Sequence, residues 1–288
     1  MNRIRSIKDI HLKNLIKAHL KLRELKREKL RELSNRISSD FSYALGVVLG
    51  DGYITFPKKG GGYIGLNVKD KDFAEDFKNS LDKWSGKKCR LYFYEDCWRV
   101  YLHLVVAAKF LKNFDVNKLF FMSEEIKCAF LRGLFDSEGS VNIQQKRICF
   151  YNSNTDLINL AKILLDSLGI NYIKIYKREG EIHTIEGREY LVKPVYSLVI
   201  RRRKNLELFY KKIRFSIKRK QSKLENILKS YQRNHIPWTK EEIKFLKHSL
   251  LLSLSNDSIN TISKQIAERM GRAHQSVRRA IYRYDLIK

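Results

Sequence analysis

The chain has 288 residues, 43% of them hydrophobic, enough to bury a core in one large or two medium domains. Its 58 Lys+Arg against 31 Asp+Glu give a formal charge of +27 and a pI near 9.9, a self-repulsion that a polyanion such as nucleic acid relieves. No run approaches ~18 apolar residues and no signal-peptide core follows Met1, so the expectation is no membrane partner and an intracellular protein, in cytoplasm or nucleoid or in an organelle.

Residues 1–39 read as one basic helix, with Leu12, Leu15, Ile16, Leu20, Leu22, Leu25 and Leu30 at roughly helical spacing. Residues 1–40 hold 12 Lys/Arg and 5 Asp/Glu. Either the helix docks on the core with a solvated face, or it is an arm that touches phosphate.

From Asp40 to about Tyr231 the chain repeats itself. Phe41-Ser-Tyr-Ala-Leu-Gly-Val-Val-Leu-Gly-Asp-Gly-Tyr53 answers to Cys128-Ala-Phe-Leu-Arg-Gly-Leu-Phe-Asp-Ser-Glu-Gly-Ser140 at an offset of 87 residues. The offset aligns Gly46 with Gly133, Gly50 with Ser137, Asp51 with Glu138, and Gly52 with Gly139. Strands are predicted at Tyr63–Val68 and Arg147–Tyr151. Helices follow over Asp72–Trp84 and Asp156–Leu168, ending near Gly86 and Gly169 as C-caps do. Strand pairs come next, Arg90–Tyr94 with Trp98–Val105 and Tyr172–Tyr176 with Val195–Ile200. Short helices over Ala107–Phe114 and Leu206–Ile213 close the halves. Each half therefore reads αββαββα, and a duplication of this kind suits the local two-fold symmetry of duplex DNA. The domains are placed at 40–122 and 123–230.

Residues 231–288 form a separate segment with 11 Lys/Arg and 5 Asp/Glu. Thr239-Lys-Glu-Glu242 is a capping box opening a helix, Ser253–Asn260 a polar loop, Ile262–Met270 a second helix, and His274–Asp285 a third after the Gly271-Arg272 turn.

The chemistry concentrates in the repeated segment. Gly46 and Gly50, and Gly133 and Ser137, lie four apart on one helix face, which lets two helix backbones approach closely. Asp51 and Glu138 follow at the negative ends of the two helices. Two carboxylates together there repel, and a divalent cation such as Mg²⁺ relieves this while keeping sites for water and phosphate oxygens. Gly52 and Gly139 are expected to turn the chain at positive φ. The cysteines Cys89, Cys97, Cys128 and Cys149 lack CxxC spacing, the His are scattered, and Asn234-His235 is too little for a His-Asn-His nuclease, so no zinc site is expected.

Ala44-Leu-Gly-Val-Val-Leu-Gly-Asp-Gly52 and Leu131-Arg-Gly-Leu-Phe-Asp-Ser-Glu-Gly139 resemble the two motifs of single-chain LAGLIDADG homing endonucleases, over roughly residues 40–220. The resemblance implies an α+β fold of two pseudo-symmetric repeats whose sheets form a DNA-binding saddle. It implies a monomeric nuclease that hydrolyses double-stranded DNA within a long recognition site, in intron homing, with Mg²⁺ or another divalent cation such as Mn²⁺. It makes Asp51 and Glu138 the metal-binding acids and gives Gly50 and Ser137 as carbonyl donors. Asp136 fits the often acidic sixth motif position; Leu49 does not. Lys69 is the candidate for the group near the attacking water, its counterpart Ser153 cannot do that work, and Lys146, Arg201 and Arg203 are other candidates. The DNA-facing candidates are Tyr53, Thr55, Asn67, Asn142, Gln144, Lys146, Tyr151, and Arg201 and Arg203 continuing the last strand.

The C-terminal segment resembles a Myb or homeodomain-like helix-turn-helix, from Trp238-Thr-Lys-Glu-Glu242, Ala267, Gly271 and Val277. Val277, Ile281 and Tyr284 are expected on the core face, with Gln275, Arg278 and Arg279 free to enter a groove; a protein-binding bundle is the other reading. Two other functions fit the same surface: a non-cleaving transcriptional regulator, which loss of the acids would mark, and an RNA maturase acting on intron RNA. An intein fits less well, because the chain starts with Met1 and ends in Leu286-Ile-Lys288.

Overall fold

The computed structural model describes residues 2–58, 60–171, 174–180, 182–185, 188–191, 193–231, 237–252 and 258–286, with the side chains of residues 2–16, 174, 182–185 and 188–191 outside the description. Tyr172, the Asn234-His235 pair, most of the Ser253–Asn260 loop and the side chains of Leu12, Leu15 and Ile16 therefore lie outside the described residues. The chain divides into two compact units, residues 1–232 and 233–288.

The first unit begins with α1 (Asn2–Asn35). Leu33 near its end is fully buried, and Trp84 Nε1 donates to the Leu33 carbonyl at 3.4 Å. Leu20, Leu22, Leu25 and Leu30 are exposed, so only the C-terminal end of the helix is shown to dock.

Two repeats follow. The first is α2 (Ser39–Leu49), β1 (Tyr53–Thr55), β2 (Tyr63–Val68), α3 (Lys71–Ser85), β3 (Arg90–Tyr94), β4 (Cys97–His103) and α4 (Val105–Lys112). The second is α5 (Glu124–Glu138), β5 (Gly139–Asn142), β6 (Arg147–Asn152), α6 (Thr155–Ser167), β7 (Lys174–Arg178), β8 (Ile182–Ile185), β9 (Arg188–Leu191), β10 (Val195–Ile200) and α7 (Arg203–Lys212). The sheets have the same antiparallel order, β1-β2-β4-β3 and β5-β6-β10-β7. This is the α+β architecture of the αββαββα reading. The second repeat differs by a β8–β9 hairpin inserted between β7 and β10, which the sequence reading passed over.

Alternation along the strands sets the two faces of each sheet. Ile64, Leu66, Val100 and Leu102 of the first sheet, and Ile148, Phe150, Leu198 and Ile200 of the second, are fully buried against the helices. The residues of opposite parity in these strands form the outer faces.

The helices α2 and α5 pack backbone to backbone. A Cβ on Gly46 would strike the Phe130 carbonyl and lie 3.1 Å from Leu134 N; one on Gly133 would strike the Tyr43 carbonyl and lie 2.9 Å from Val47 N. Gly52 and Gly139 do not have the positive φ expected of them. Gly139 is extended (φ −85°, ψ 147°), and its Cβ would strike the carbonyl of Phe135; glycine serves there because the chain folds back onto the last helical turn.

After α7 the chain enters α8 (Lys218–Tyr231), which opens at the end of a basic run, Arg201 to Lys220, with ten Lys/Arg against one Glu. Its start is tied down by carboxylates. Arg219 forms a two-pronged ion pair with Asp70 at 2.7 Å, and Asp72 accepts from Lys218 N at 2.6 Å.

The second unit holds α9 (Lys240–Leu252), α10 (Ile259–Met270) and α11 (His274–Arg283). Thr239 and Glu242 form the reciprocal capping box, at 2.9 and 3.1 Å. Gly271 turns the chain at φ 62°. Val277, Ala280 and Ile281 of α11 enter the small core; Tyr284, placed there by the sequence reading, is 37% exposed because it follows the helix end.

Candidate nuclease site at the paired helix ends

Asp51 and Glu138 lie at the C-terminal ends of α2 and α5, which the glycine contact holds together. The two ends are not equivalent. Glu138 is the last residue of α5, whereas α2 stops at Leu49 and Asp51 lies beyond the Gly50 cap. Ser137 packs on Gly50, where a Cβ would lie 2.7 Å from its Oγ and 3.5 Å from Glu138 Cγ. The Ser137 hydroxyl itself donates back to the Gly133 carbonyl at 3.0 Å.

Burial raises the carboxyl of Asp51 above its ordinary range, and nearby Lys220 opposes the shift. Glu138 is raised first by burial and then by the charge of Asp51, against Lys220 and a hydrogen bond from Asn152. The two acids therefore feel each other. A half-buried, mutually repelling carboxylate pair at two negative helix ends is a donor set suited to a hard divalent cation that retains water and phosphate ligands. Among the described residues no cluster of three or more His, Cys, Asp or Glu completes such a site, so the remaining ligands would be backbone carbonyls, water and substrate.

Lys220 is the functional candidate the sequence reading missed. It is 6% exposed on α8, and its Nζ donates to the carbonyls of Phe135 at 3.2 Å and Asp136 at 2.5 Å. Burial lowers its pKa to about 8. The available signal is its register: Lys220, Leu224 and Ile227 share the buried face of one helix. A lysine at an apolar register is costly to bury, and so invites a specific reason.

Asp136 holds the start of α8 in place. It is 1% exposed and accepts from Tyr43 Oη at 3.1 Å and from the backbone N–H groups of Ser216 and Ile217 at 3.0 and 3.5 Å. Burial pushes its carboxyl up to about 7, against the pull of Ser216, Lys220 and Tyr43. Asn152, also missed, donates from Nδ2 to Glu138 Oε1 at 3.1 Å. It continues the core-facing parity of Ile148 and Phe150, and a polar residue there was a readable signal.

Lys69 is exposed just past β2, beside Asp70, and among the described residues makes no hydrogen bond or ion pair. Tyr53, Thr55, Asn67, Asn142 and Tyr151 lie on the outer strand faces. Three candidates need correction. Gln144 and Lys146 are not strand residues: they sit in the turn between β5 and β6, where Lys146 has φ 47° and its Nζ lies 4.6 Å from the Tyr231 ring. Arg203 does not continue the last strand. The chain breaks at Arg202 (φ 66°), and Arg203 opens α7 with its guanidinium on Glu207 at 2.7 Å. Arg201 remains at the end of β10. In the second unit Gln275, Arg278 and Arg279 are exposed on α11.

The LAGLIDADG-like domain family matches residues 125–214, the second repeat. Protein MJ0398 of Methanocaldococcus jannaschii is 35% identical over 203 residues, which cover 68% of this chain and 74% of that protein. The chain belongs to the LAGLIDADG-like family. It is also similar to the ATP-dependent DNA helicase Hel308 of the same organism, 29% identical over 73% of this LAGLIDADG chain, but the match spans only 18% of the helicase. Among solved structures it is similar to the homing endonuclease I-DmoI in complex with DNA and Mn, at 19% identity and a TM-score of 0.45, covering 62% of this chain and 97% of that one. No helix among the described residues is long and apolar enough to cross a membrane.

Proposed function

We propose that this LAGLIDADG-like protein is a site-specific endonuclease of double-stranded DNA, acting as a monomer and suited to intron homing, with Mg²⁺ or Mn²⁺ as cofactor. The observation that carries the reading is the pair of carboxylates at the apposed ends of α2 and α5, each sensing the same buried lysine. Asp51 and Glu138, with backbone carbonyls of Gly50 and Ser137, would hold the cation. The cation, when bound, supplies an activated water and neutralises charge on the phosphodiester. Asn152 orients Glu138 by its hydrogen bond. Lys220, lowered by burial to about 8, acts on both acids through its charge and would stabilise negative charge developing beside them. We assign Lys220 the role first given to Lys69. The outer faces of the two sheets would grip the duplex in its major groove, which admits β-ribbons. The α10–α11 pair supports a further DNA contact as a helix-turn-helix, through Gln275, Arg278 and Arg279.

The test is a duplex library incubated with the protein and Mg²⁺. The parent should cut one site. Asp51→Asn and Glu138→Gln should each retain DNA binding and lose cleavage by about 10²-fold or more. Variants that cut as well as the parent would remove the acids from the mechanism. A parent that binds one site and never cuts, with Mg²⁺ or Mn²⁺, would make the protein a non-cleaving DNA-binding regulator.

A further inference from the structure

The pseudo-symmetry aligns the outer faces of the two sheets residue by residue, and the row nearest the β1–β2 and β5–β6 turns carries arginines only in the second. In the first sheet the row is Thr55–Tyr63–His103, by the pairings Thr55↔Tyr63 and Tyr63↔His103. Tyr63 and His103 stack with ring centroids 4.6 Å apart. In the second sheet the equivalent row begins Asn142↔Arg147. Ile148 pairs with Ile200, the last residue of β10, and Arg201 follows just past that strand end.

Among the described residues neither Arg147 nor Arg201 forms a hydrogen bond or an ion pair, and the Nε atoms of both are buried without a partner. The Nε of Arg99 on the first sheet's outer face is likewise unpartnered, but its guanidinium is held by Glu95 at 2.5 Å and lies 4.5 Å from the Tyr94 ring. Asn142 completes the row with its carbonyl already accepting from Gln145 N at 2.8 Å, which leaves its amide NH₂ as the free function. Arg147 lies in β6, and Arg201 follows the end of β10; these are the two inner strands of the sheet.

We propose that Arg147 and Arg201 form a guanine-reading subsite in the half of the DNA target held by the second repeat, each fork taking the O6 and N7 acceptors of one guanine. The inference rests on the DNA-binding reading above. A planar fork suits the two acceptors of a guanine edge, the commonest specific contact of arginine in the major groove. The first repeat, with Tyr63 and His103 in the same row, has no such reader and should not share the preference.

The experiment is selection of bound sequences from a random duplex pool by the full chain in EDTA, so that no cutting occurs. The parent should enrich a site with guanine required in one half. Arg147→Lys and Arg201→Lys keep the charge and lose the fork. Each should reduce the preference for guanine there about 5- to 150-fold, leaving the other half and the binding to unrelated sequences unchanged, with an unaltered thermal melt. Equal weakening on all sequences would make the pair a phosphate clamp and overturn the proposal, as would an unchanged preference. A parent that binds no duplex would overturn the functional reading along with it. A parent that selects a site indifferent to both substitutions would overturn the subsite alone.

Discussion

The two repeats share a backbone plan but divide the work unequally. Each supplies one acid and one four-stranded sheet of the same order. The groups that support the acids belong to one side: Asn152 on Glu138, Asp136 under the start of α8, and Lys220 over the end of α5. The first repeat has Val68 and Leu49 at the positions equivalent to Asn152 and Asp136. The outer faces diverge too. The first carries Tyr53, Tyr63, Tyr92, Tyr94 and Tyr101, the last raised to about 12 by burial and by Tyr63. The second carries Ser140, Cys149, Ser197 and Val199 around the arginine pair. The two repeats share what the helix interface requires and differ in their surfaces and in the groups around the acids.

The comparison can be broken first at what the repeats share. Gly133→Val and Gly46→Val should each abolish the folded first unit, because a branched side chain would collide with the opposing helix backbone, and overpacking against rigid backbone costs more than the usual ~1–3 kcal/mol. Circular dichroism melts would show it, and a cooperative melt at parental temperature in either variant would contradict the close approach.

The next effect tests the one-sided support. Lys220→Met keeps the length of the buried stem and should lower single-turnover cleavage about 10²-fold while duplex binding persists. Lys69→Ala should change little, since Lys69 is exposed and holds nothing. The reverse ranking would return the role to Lys69.

A smaller effect sharpens the asymmetry between the acids. With end-labelled duplex, the two strands should be nicked at unequal rates, and Asn152→Ala should slow one of them more than the other. Equal rates in the parent would mean that Asp51 and Glu138 work alike.

The smallest effect is one of stability. In EDTA, Glu138→Gln and Asp51→Asn should each raise the melting temperature at pH 7–8. Both folded carboxyls are raised, so their stabilising contribution is present below the unfolded pKa and is lost as pH rises through the folded value. The amides escape that loss, and their advantage should vanish near pH 4. Variants no more stable than the parent at pH 8 would argue against mutual repulsion.

Much of this was legible in the chain alone. The 87-residue offset, the small residues four apart and the glycine after each acid identify two helices that pack closely and end in carboxylates, because close approach admits only a few residue types. Period-2 and helical spacing located nearly every strand and helix of the repeats. The separate C-terminal segment announced itself through its capping box. What tertiary structure alone decided lies where distant segments meet. The basic run from Arg201 to Lys220 looked uniform, yet it divides into an unpaired arginine on the sheet, an arginine spent on Glu207, and a buried lysine at the acids. Charge type in sequence does not say whether a cation is solvated, paired or buried. That depends on which elements pack against it, and for Lys220 the packing runs through residues about 84 positions away.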